Sequence, residues 1–268
     1  GSRMALDISS LADTYRRDGY VSAVDILTPD EAADHRRRLE EAEASFGSLH
    51  YRSKAHTILT SPLELVTRKD VLDVVESMIG PDILLYNVTY IIKEPHTPSH
   101  VSWHQDLTYW GLSNDEQVSM WLALSPATTE SGCMRRIPGS QTKGVFQHET
   151  KDDPTNVLLQ SQTVLGVPED ESVMCPLAPG QASFHHGWTL HASMPNNSAD
   201  RRIGLNVQYV STSTKQTKHD LDTAMLVRGE DRYRYYEYDT PAKGDLEPEA
   251  VERQRALEDK HKEIAGTT

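Results

Sequence analysis

The rhythm of apolar and polar residues changes near residue 83. Ahead of it the chain reads as helix with short extended pieces. Thr28-Pro29-Asp30-Glu31 opens a helix: Thr28 can cap, Pro29 suits the first helical position and Glu31 completes a capping box. That helix should run through the charged stretch 36–43. A second helix over 70–79 places Val71, Val74, Val75 and Met78 on one face, with Gly80 as its stop. Beyond residue 83 the period shortens to two. Residues 83–92 are rich in β-branched and aromatic side chains. Over 117–124, Val118, Met120, Leu122 and Leu124 alternate with Gln117, Ser119, Trp121 and Ala123. Ile203, Leu205, Val207 and Tyr209 alternate with Arg202, Gly204, Asn206 and Gln208. Pro138-Gly139-Ser140 and Pro179-Gly180 mark turns, the second leading into a strand over 182–186.

Residues 142–163 show no clear period and read as a long loop of the kind that forms lids. Residues 247–264 read as a charged helix with few apolar positions, peripheral or packed on a partner. The fold class expected is mainly β with N-terminal helices, a sandwich or jelly roll. A single domain should cover 4–268, with a helical region over about 8–80, a jelly-roll core over about 83–212 and the peripheral helix at the end. Gly1, Ser2 and Arg3 ahead of Met4 look like an expression remnant and carry no fold argument.

Composition narrows the partners. Lys and Arg number 27 against 40 Asp and Glu, a formal net charge of −13, which argues against nucleic acid and against anionic membranes. No stretch approaches the ~18 consecutive apolar residues of a membrane span, and the start lacks a secretory pattern. Cys133 and Cys175 form no CxxC pair, so free thiols in a reducing cytoplasm are expected. A homo-oligomer stays open, the charged C-terminal helix being the one hint of a partner surface.

The candidate chemistry starts at Trp103-His104-Gln105-Asp106. On a strand, His104 and Asp106 would project to one side and could share a metal. A third ligand would come from Phe184-His185-His186-Gly187-Trp188-Thr189-Leu190-His191. Two imidazoles and one carboxylate on one face leave coordination positions open, as non-haem Fe(II) oxygenases require. A zinc hydrolase could use the same three groups with water. Arg201 and Arg202 follow. An arginine projecting inward from a strand is costly unless paired, and the far carboxylate of a dicarboxylate would pair it; the plain alternative is exposure at a strand entry.

Here the motifs resemble a family. Trp103-His104-Gln105-Asp106, Trp121, Glu130-Ser131-Gly132-Cys133-Met134, Ile137-Pro138-Gly139-Ser140, Pro179-Gly180-Gln181, and Leu190-His191-Ala192-Ser193 with Pro195-Asn196 occur in the order of the phytanoyl-CoA dioxygenase family of Fe(II)/2-oxoglutarate oxygenases. Asp18-Gly19-Tyr20 and Leu27-Thr28-Pro29-Asp30-Glu31 resemble its opening. The resemblance implies a double-stranded β-helix, a cupin-like jelly roll. It implies His104, Asp106 and His191 as iron ligands; of the three downstream histidines only His191 has Ser193 two residues later and Arg202 eleven later. It implies Arg202 and Ser193 at the distal carboxylate of 2-oxoglutarate, and Gln105 and Trp121 near the cosubstrate. Asp106 stands where related halogenases carry a small residue, which favours oxygen transfer.

The implied reaction hydroxylates an unactivated C–H of a small-molecule metabolite while 2-oxoglutarate and O2 become succinate and CO2. A metal-dependent hydrolase with the same ligands and a non-catalytic sensing module are the alternatives. For the remaining site residues, Asn87 and Thr89 alternate on one strand and could bond the cosubstrate. Arg135 and Arg136 could bind an anionic substrate group. His185, Tyr109 and Trp110 are further substrate candidates, and Lys93 reads as a solvated strand end.

Overall fold

The computed structural model describes residues 5–150, 153–156 and 162–266. Four helices occupy the first 80 residues: α1 (Ile8–Asp18), α2 (Pro29–Phe46), α3 (Thr60–Val66) and α4 (Lys69–Ile79). The capping box forms as the sequence predicts. Glu31 N donates to Thr28 Oγ1 at 3.1 Å, and Thr28 N donates to Glu31 Oε1 at 2.9 Å. In α4, Val71, Leu72, Val74 and Val75 are buried, and Gly80 ends the helix with φ +91.

Seven strands build a large sheet in the order β1 (Tyr20–Asp25), β9 (Gln181–His186), β4 (Gln117–Ala123), β11 (Arg202–Ser211), β2 (Ile83–Lys93), β12 (Thr223–Arg228), β13 (Glu237–Tyr238). A smaller sheet runs β3 (Val101–His104), β10 (His191–Ser193), β5 (Met134–Arg136), β8 (Val173–Cys175). All pairings are antiparallel except β12 with β13. This is the mainly-β jelly roll expected. The large sheet reaches beyond residues 83–212 at both edges, taking in β1 and β12–β13.

The main core lies between the large sheet and the helices, not inside the roll. Val118, Met120 and Leu122 of β4, Val88, Tyr90 and Ile92 of β2, and Ile203, Leu205 and Val207 of β11 pack there with Leu39, Leu65, Val71 and Val75. The opposite faces of these strands carry Gln117, Ser119 and Trp121, and Arg202, Asn206 and Gln208. All but the half-buried Asn206 are also shielded from solvent, but they turn into the roll. Apolar packing on one side thus fixes the register that aims polar groups at the other.

Two expectations change. The region 142–163 is not wholly irregular: β6 (His148–Thr150) pairs with β7 (Gln162–Val164) as an antiparallel hairpin, part of whose connection lies outside the described residues. The C-terminal helix α6 (Pro248–Gly266) buries Ala250, Val251 and Gln254 against its own chain, with Gln254 Nε2 donating to Ser53 O at 2.7 Å. Among the described residues no helix is long and apolar enough to cross a membrane.

Candidate metal and cosubstrate site

His104 ends β3 and His191 begins β10, and the two are direct cross-strand partners. Asp106 joins them by a different route from the strand alternation the sequence suggests. The strand stops at His104, and Asp106 is the helical cap residue (φ −57, ψ −43) of the short helix α5 (Leu107–Trp110). The strand-to-helix turn swings Asp106 under the two rings.

Ligand atoms of the three residues all lie within 4.8 Å of one another, and all three residues are buried. His104 Nδ1 lies 2.9 Å from Ser102 O, and His191 Nδ1 lies 2.9 Å from Thr189 O. A carbonyl only accepts, so each Nδ1 carries the hydrogen and each Nε2 presents a lone pair. Both Nε2 atoms face Asp106 Oδ1, at 3.3 and 3.2 Å. Three electron-pair donors converging on one buried point repel one another unless a cation sits between them. The donor set fits a divalent metal in the 2-His-1-carboxylate arrangement.

The other carboxylate oxygen is spoken for. Asp106 Oδ2 accepts from Ser119 Oγ at 2.9 Å and lies 2.8 Å from His185 Nε2; Gln117 Nε2 in turn donates to Ser119 Oγ at 2.9 Å. Burial alone would raise the Asp106 carboxyl, but the imidazoles around it, His191 first, outweigh this and hold it well below the usual range. Oδ1 is thereby left as the metal-facing atom.

One cavity, open to solvent at its mouth, is lined by the three ligands together with Arg202, Ser193 and Trp121. Arg202 is 1% exposed. Its guanidinium stacks on the Trp121 ring at 4.9 Å and donates from Nη1 to Gly132 O at 2.6 Å, while Nε has no partner. Burial pulls its pKa down to about 9. Two glycines make room for this geometry. Gly132 has φ +86, and a Cβ on Gly204 would collide with the Trp121 indole.

Lys93, expected at a solvated strand end, is instead 1% exposed and pairs across the strands with Arg202. Its Nζ donates to Ser193 Oγ at 2.7 Å and to Met194 O. Burial, then the neighbouring Arg202, pulls its pKa down to about 6. Among the described residues neither cation has a carboxylate partner. A buried arginine lining the cavity without an anion, with Lys93 behind it on Ser193, fits the distal carboxylate of 2-oxoglutarate.

The structure brings together His104, Asp106, His191, Arg202, Ser193, Trp121, Tyr109 and Trp110 on this one cavity. It places the others elsewhere. Gln105 points away from the cavity: its Nε2 donates to Gly144 O and Trp188 O, its Oε1 accepts from Phe146 N, and it pins the approach to β6. Asn87 Oδ1 takes the backbone N–H groups of Lys54 and Val88, and neither Asn87 nor Thr89 lines the cavity. Arg135 faces outward over the Trp103 ring and reaches Ser172 Oγ. Arg136 turns inward but behind the metal site, bonding Ser183 and His185. His185 supports Asp106 and does not reach the cavity.

Tyr51, Ile91, Met134, Asn206 and Gln208 also line the cavity, unforeseen. Asn206 and Gln208 share the alternating face of Arg202, so strand parity held the signal. Tyr51 comes from an irregular turn with φ 60 and had none.

The family model described as Phytanoyl-CoA dioxygenase (PhyH) matches residues 15–204. L-proline trans-4-hydroxylase of Streptomyces griseoviridis is 25% identical over 246 residues, 80% of this chain and 90% of that protein. A probable alpha-ketoglutarate-dependent hypophosphite dioxygenase of Stutzerimonas stutzeri is 27% identical over 149 residues, 55% of this chain and 52% of that protein. The match spans about half the length, or less, of several curated relatives. Among solved structures, the non-heme monooxygenase ThoJ in its apo form superposes with a TM-score of 0.83 at 27% identity, covering 96% of this chain and 99% of that one. The epimerase SnoN, in complex with Fe3+, alpha ketoglutarate and nogalamycin RO, shares the fold with a TM-score of 0.65 at 22% identity, over 78% of this chain and 85% of that one. With its His-Asp-His triad, its jelly roll and a family match over residues 15–204, the chain belongs to the phytanoyl-CoA dioxygenase (PhyH) family of Fe(II)- and 2-oxoglutarate-dependent oxygenases.

Proposed function

We propose that the protein hydroxylates an unactivated C–H bond of a small, uncharged metabolite while 2-oxoglutarate and O2 are converted to succinate and CO2. The observation that carries this reading is the placement of a three-acceptor metal site and a buried, anion-less Arg202 on one cavity. His104, Asp106 and His191 would hold Fe(II), and Arg202 with Ser193 would hold the far end of 2-oxoglutarate. The bound iron supplies O2 activation coupled to decarboxylation of the cosubstrate.

The chain's own share is enclosure and aim. Tyr51, Tyr109 and Trp110 wall the cavity beside the metal ligands and keep water out. Tyr109 meets His104 edge-on, with ring centroids 6.0 Å apart. Gln208 lines the cavity with its Oε1 buried and without a hydrogen-bond partner, and it would accept from a donor group of the substrate. Arg202 is the one Lys or Arg among the described lining residues, and the cosubstrate takes it. The anionic substrate expected from Arg135 and Arg136 therefore loses its support. A substrate with an apolar body and a few hydrogen-bonding groups fits better.

A hydrolase with the same ligands would have no use for an unpaired buried arginine beside its metal. A cytoplasmic location accords with Cys133 and Cys175, both buried and free. The test is succinate release and O2 uptake across a library of neutral and anionic metabolites, with product mass read in parallel. The reading expects succinate coupled to gain of one oxygen atom, and neutral compounds preferred. Hydrolysis products without O2 uptake would refute it.

A further inference from the structure

Arg136 is 0% exposed, yet it forms no ion pair among the described residues. It projects from β5 of the small sheet, directly across from His191. Its Nη2 crosses the interior to Ser183 Oγ at 2.8 Å and to His185 Nδ1 at 3.0 Å, both on β9 of the large sheet. Its guanidinium also lies over the Tyr20 ring at 5.6 Å. The cavity does not include it, so it touches neither substrate nor cosubstrate.

A guanidinium has only donors. His185 Nδ1, facing Nη2, must therefore accept. A neutral imidazole carries one ring hydrogen, so that hydrogen sits on Nε2. Nε2 lies 2.8 Å from Asp106 Oδ2 and donates to it. Ser119 donates to the same oxygen. The opposite tautomer would set an N–H against the guanidinium N–H and a lone pair against the carboxylate, two repulsive contacts in a dry interior.

We infer that Arg136 is a positioning residue for the metal-binding carboxylate: through the His185 tautomer it saturates Asp106 Oδ2 and leaves Oδ1 to meet the metal as a single-oxygen ligand. This extends the iron reading and rests on it. Outer partners of this kind orient a ligand and set its tautomer, and losing one costs about 10- to 100-fold in metal affinity. If Arg136 were only a brace between the sheets, its loss would lower thermal stability and leave tautomer and metal affinity alone.

The experiment uses the full chain, metal-free, with 15N-labelled histidine. Long-range 1H–15N NMR reports which ring nitrogen of His185 carries the hydrogen, the signal being assigned by its loss in His185→Gln. Wild type should show hydrogen on Nε2 and none on Nδ1. In Arg136→Met one of the two repulsive contacts is gone while Asp106 still faces Nε2, so that preference should weaken, with hydrogen in part on Nδ1, and affinity for Mn(II), titrated without cosubstrate, should fall about 10- to 100-fold. Arg136→Lys, which keeps a donor, should recover part of it. His185→Gln offers an acceptor to Arg136 and a donor to Asp106, and should bind Mn(II) nearly as wild type does; His185→Leu should bind as weakly as Arg136→Met. A folded Arg136→Met with unchanged tautomer overturns the inference, as does His185→Gln binding metal no better than His185→Leu. If Arg136→Met does not fold, the two His185 variants decide. The tautomer is read without metal or 2-oxoglutarate, so its failure is distinct from failure of the oxygenase reading.

Discussion

Replacing Arg202 by methionine should separate cosubstrate binding from folding. The side chain is buried, and its pKa falls from its ordinary value of 12.5 to about 9 through desolvation. A folded pKa below the unfolded one means that the charged form opposes folding at neutral pH, by an amount on the order of a few kcal/mol. Methionine removes that penalty. It also strips Gly132 O of its donor, which costs about 1–3 kcal/mol. Arg202→Met without ligands should therefore be as stable as wild type or more stable by about 1–3 kcal/mol.

Cosubstrate binding should move the other way. A carboxylate left unpaired at a buried site costs about 3–5 kcal/mol, roughly 10²- to 10⁴-fold in affinity. Thermal unfolding with Mn(II) standing in for Fe(II) reads both effects. At 2-oxoglutarate concentrations near 100 times its dissociation constant, wild type should gain about 2.7 kcal/mol, or ~5–10 °C in Tm. The variant should gain almost nothing while still binding Mn(II). A ligand-free variant several kcal/mol less stable than wild type, or one that keeps the 2-oxoglutarate shift, would refute the reasoning.

Other consequences follow from the same geometry. Lys93, with its pKa drawn down to about 6 by burial, is neutral in the empty protein above that pH; a bound carboxylate beside Arg202 should raise it. Binding of 2-oxoglutarate should then take up a proton and weaken as pH rises above about 6, measurable by calorimetry in buffers of differing ionisation enthalpy. Gly204→Ala drives a methyl into the Trp121 ring; it should cost about 1–3 kcal/mol of stability and weaken 2-oxoglutarate by displacing the surface on which Arg202 stacks. Lys54→Met leaves Asp239 buried without its 3.0 Å partner and should cost about 3–5 kcal/mol in denaturant unfolding. The Asp239 carboxyl is raised by burial, but Lys54 and then His56 outweigh this and depress it below its unfolded value. The pair's contribution in wild type should therefore be full above about pH 4 and be lost as pH falls further.

The parts of this site legible in the chain were those written as short motifs on regular elements. His104, Asp106 and His191 were identified by motif order, and Arg202 by its distance from His191 and the alternation it begins. The capping box at Thr28 was legible because both of its hydrogen bonds are local. What escaped depended on contacts between distant segments. Lys93 reads as a strand end, yet antiparallel pairing lays it beside Arg202 under the chain that follows Ser193. Gln105 sits between two ligands in sequence, but the turn into α5 points it away from them. Arg136 faces inward as parity allows, though the partner it finds is a histidine from the opposite sheet and not a substrate anion. Tyr51 reaches the cavity from an irregular turn that no periodicity marks.

The central claim is that one cavity holds Fe(II) and 2-oxoglutarate together. Under strict exclusion of O2, Fe(II) added to metal-free protein should give no visible band by itself. Adding 2-oxoglutarate should produce a metal-to-ligand charge-transfer band that saturates at one equivalent of each per chain. Arg202→Met should need far more 2-oxoglutarate to reach it, and Asp106→Ala should not reach it at all. Well-folded protein that takes up Fe(II) yet shows no band at saturating 2-oxoglutarate would contradict the account.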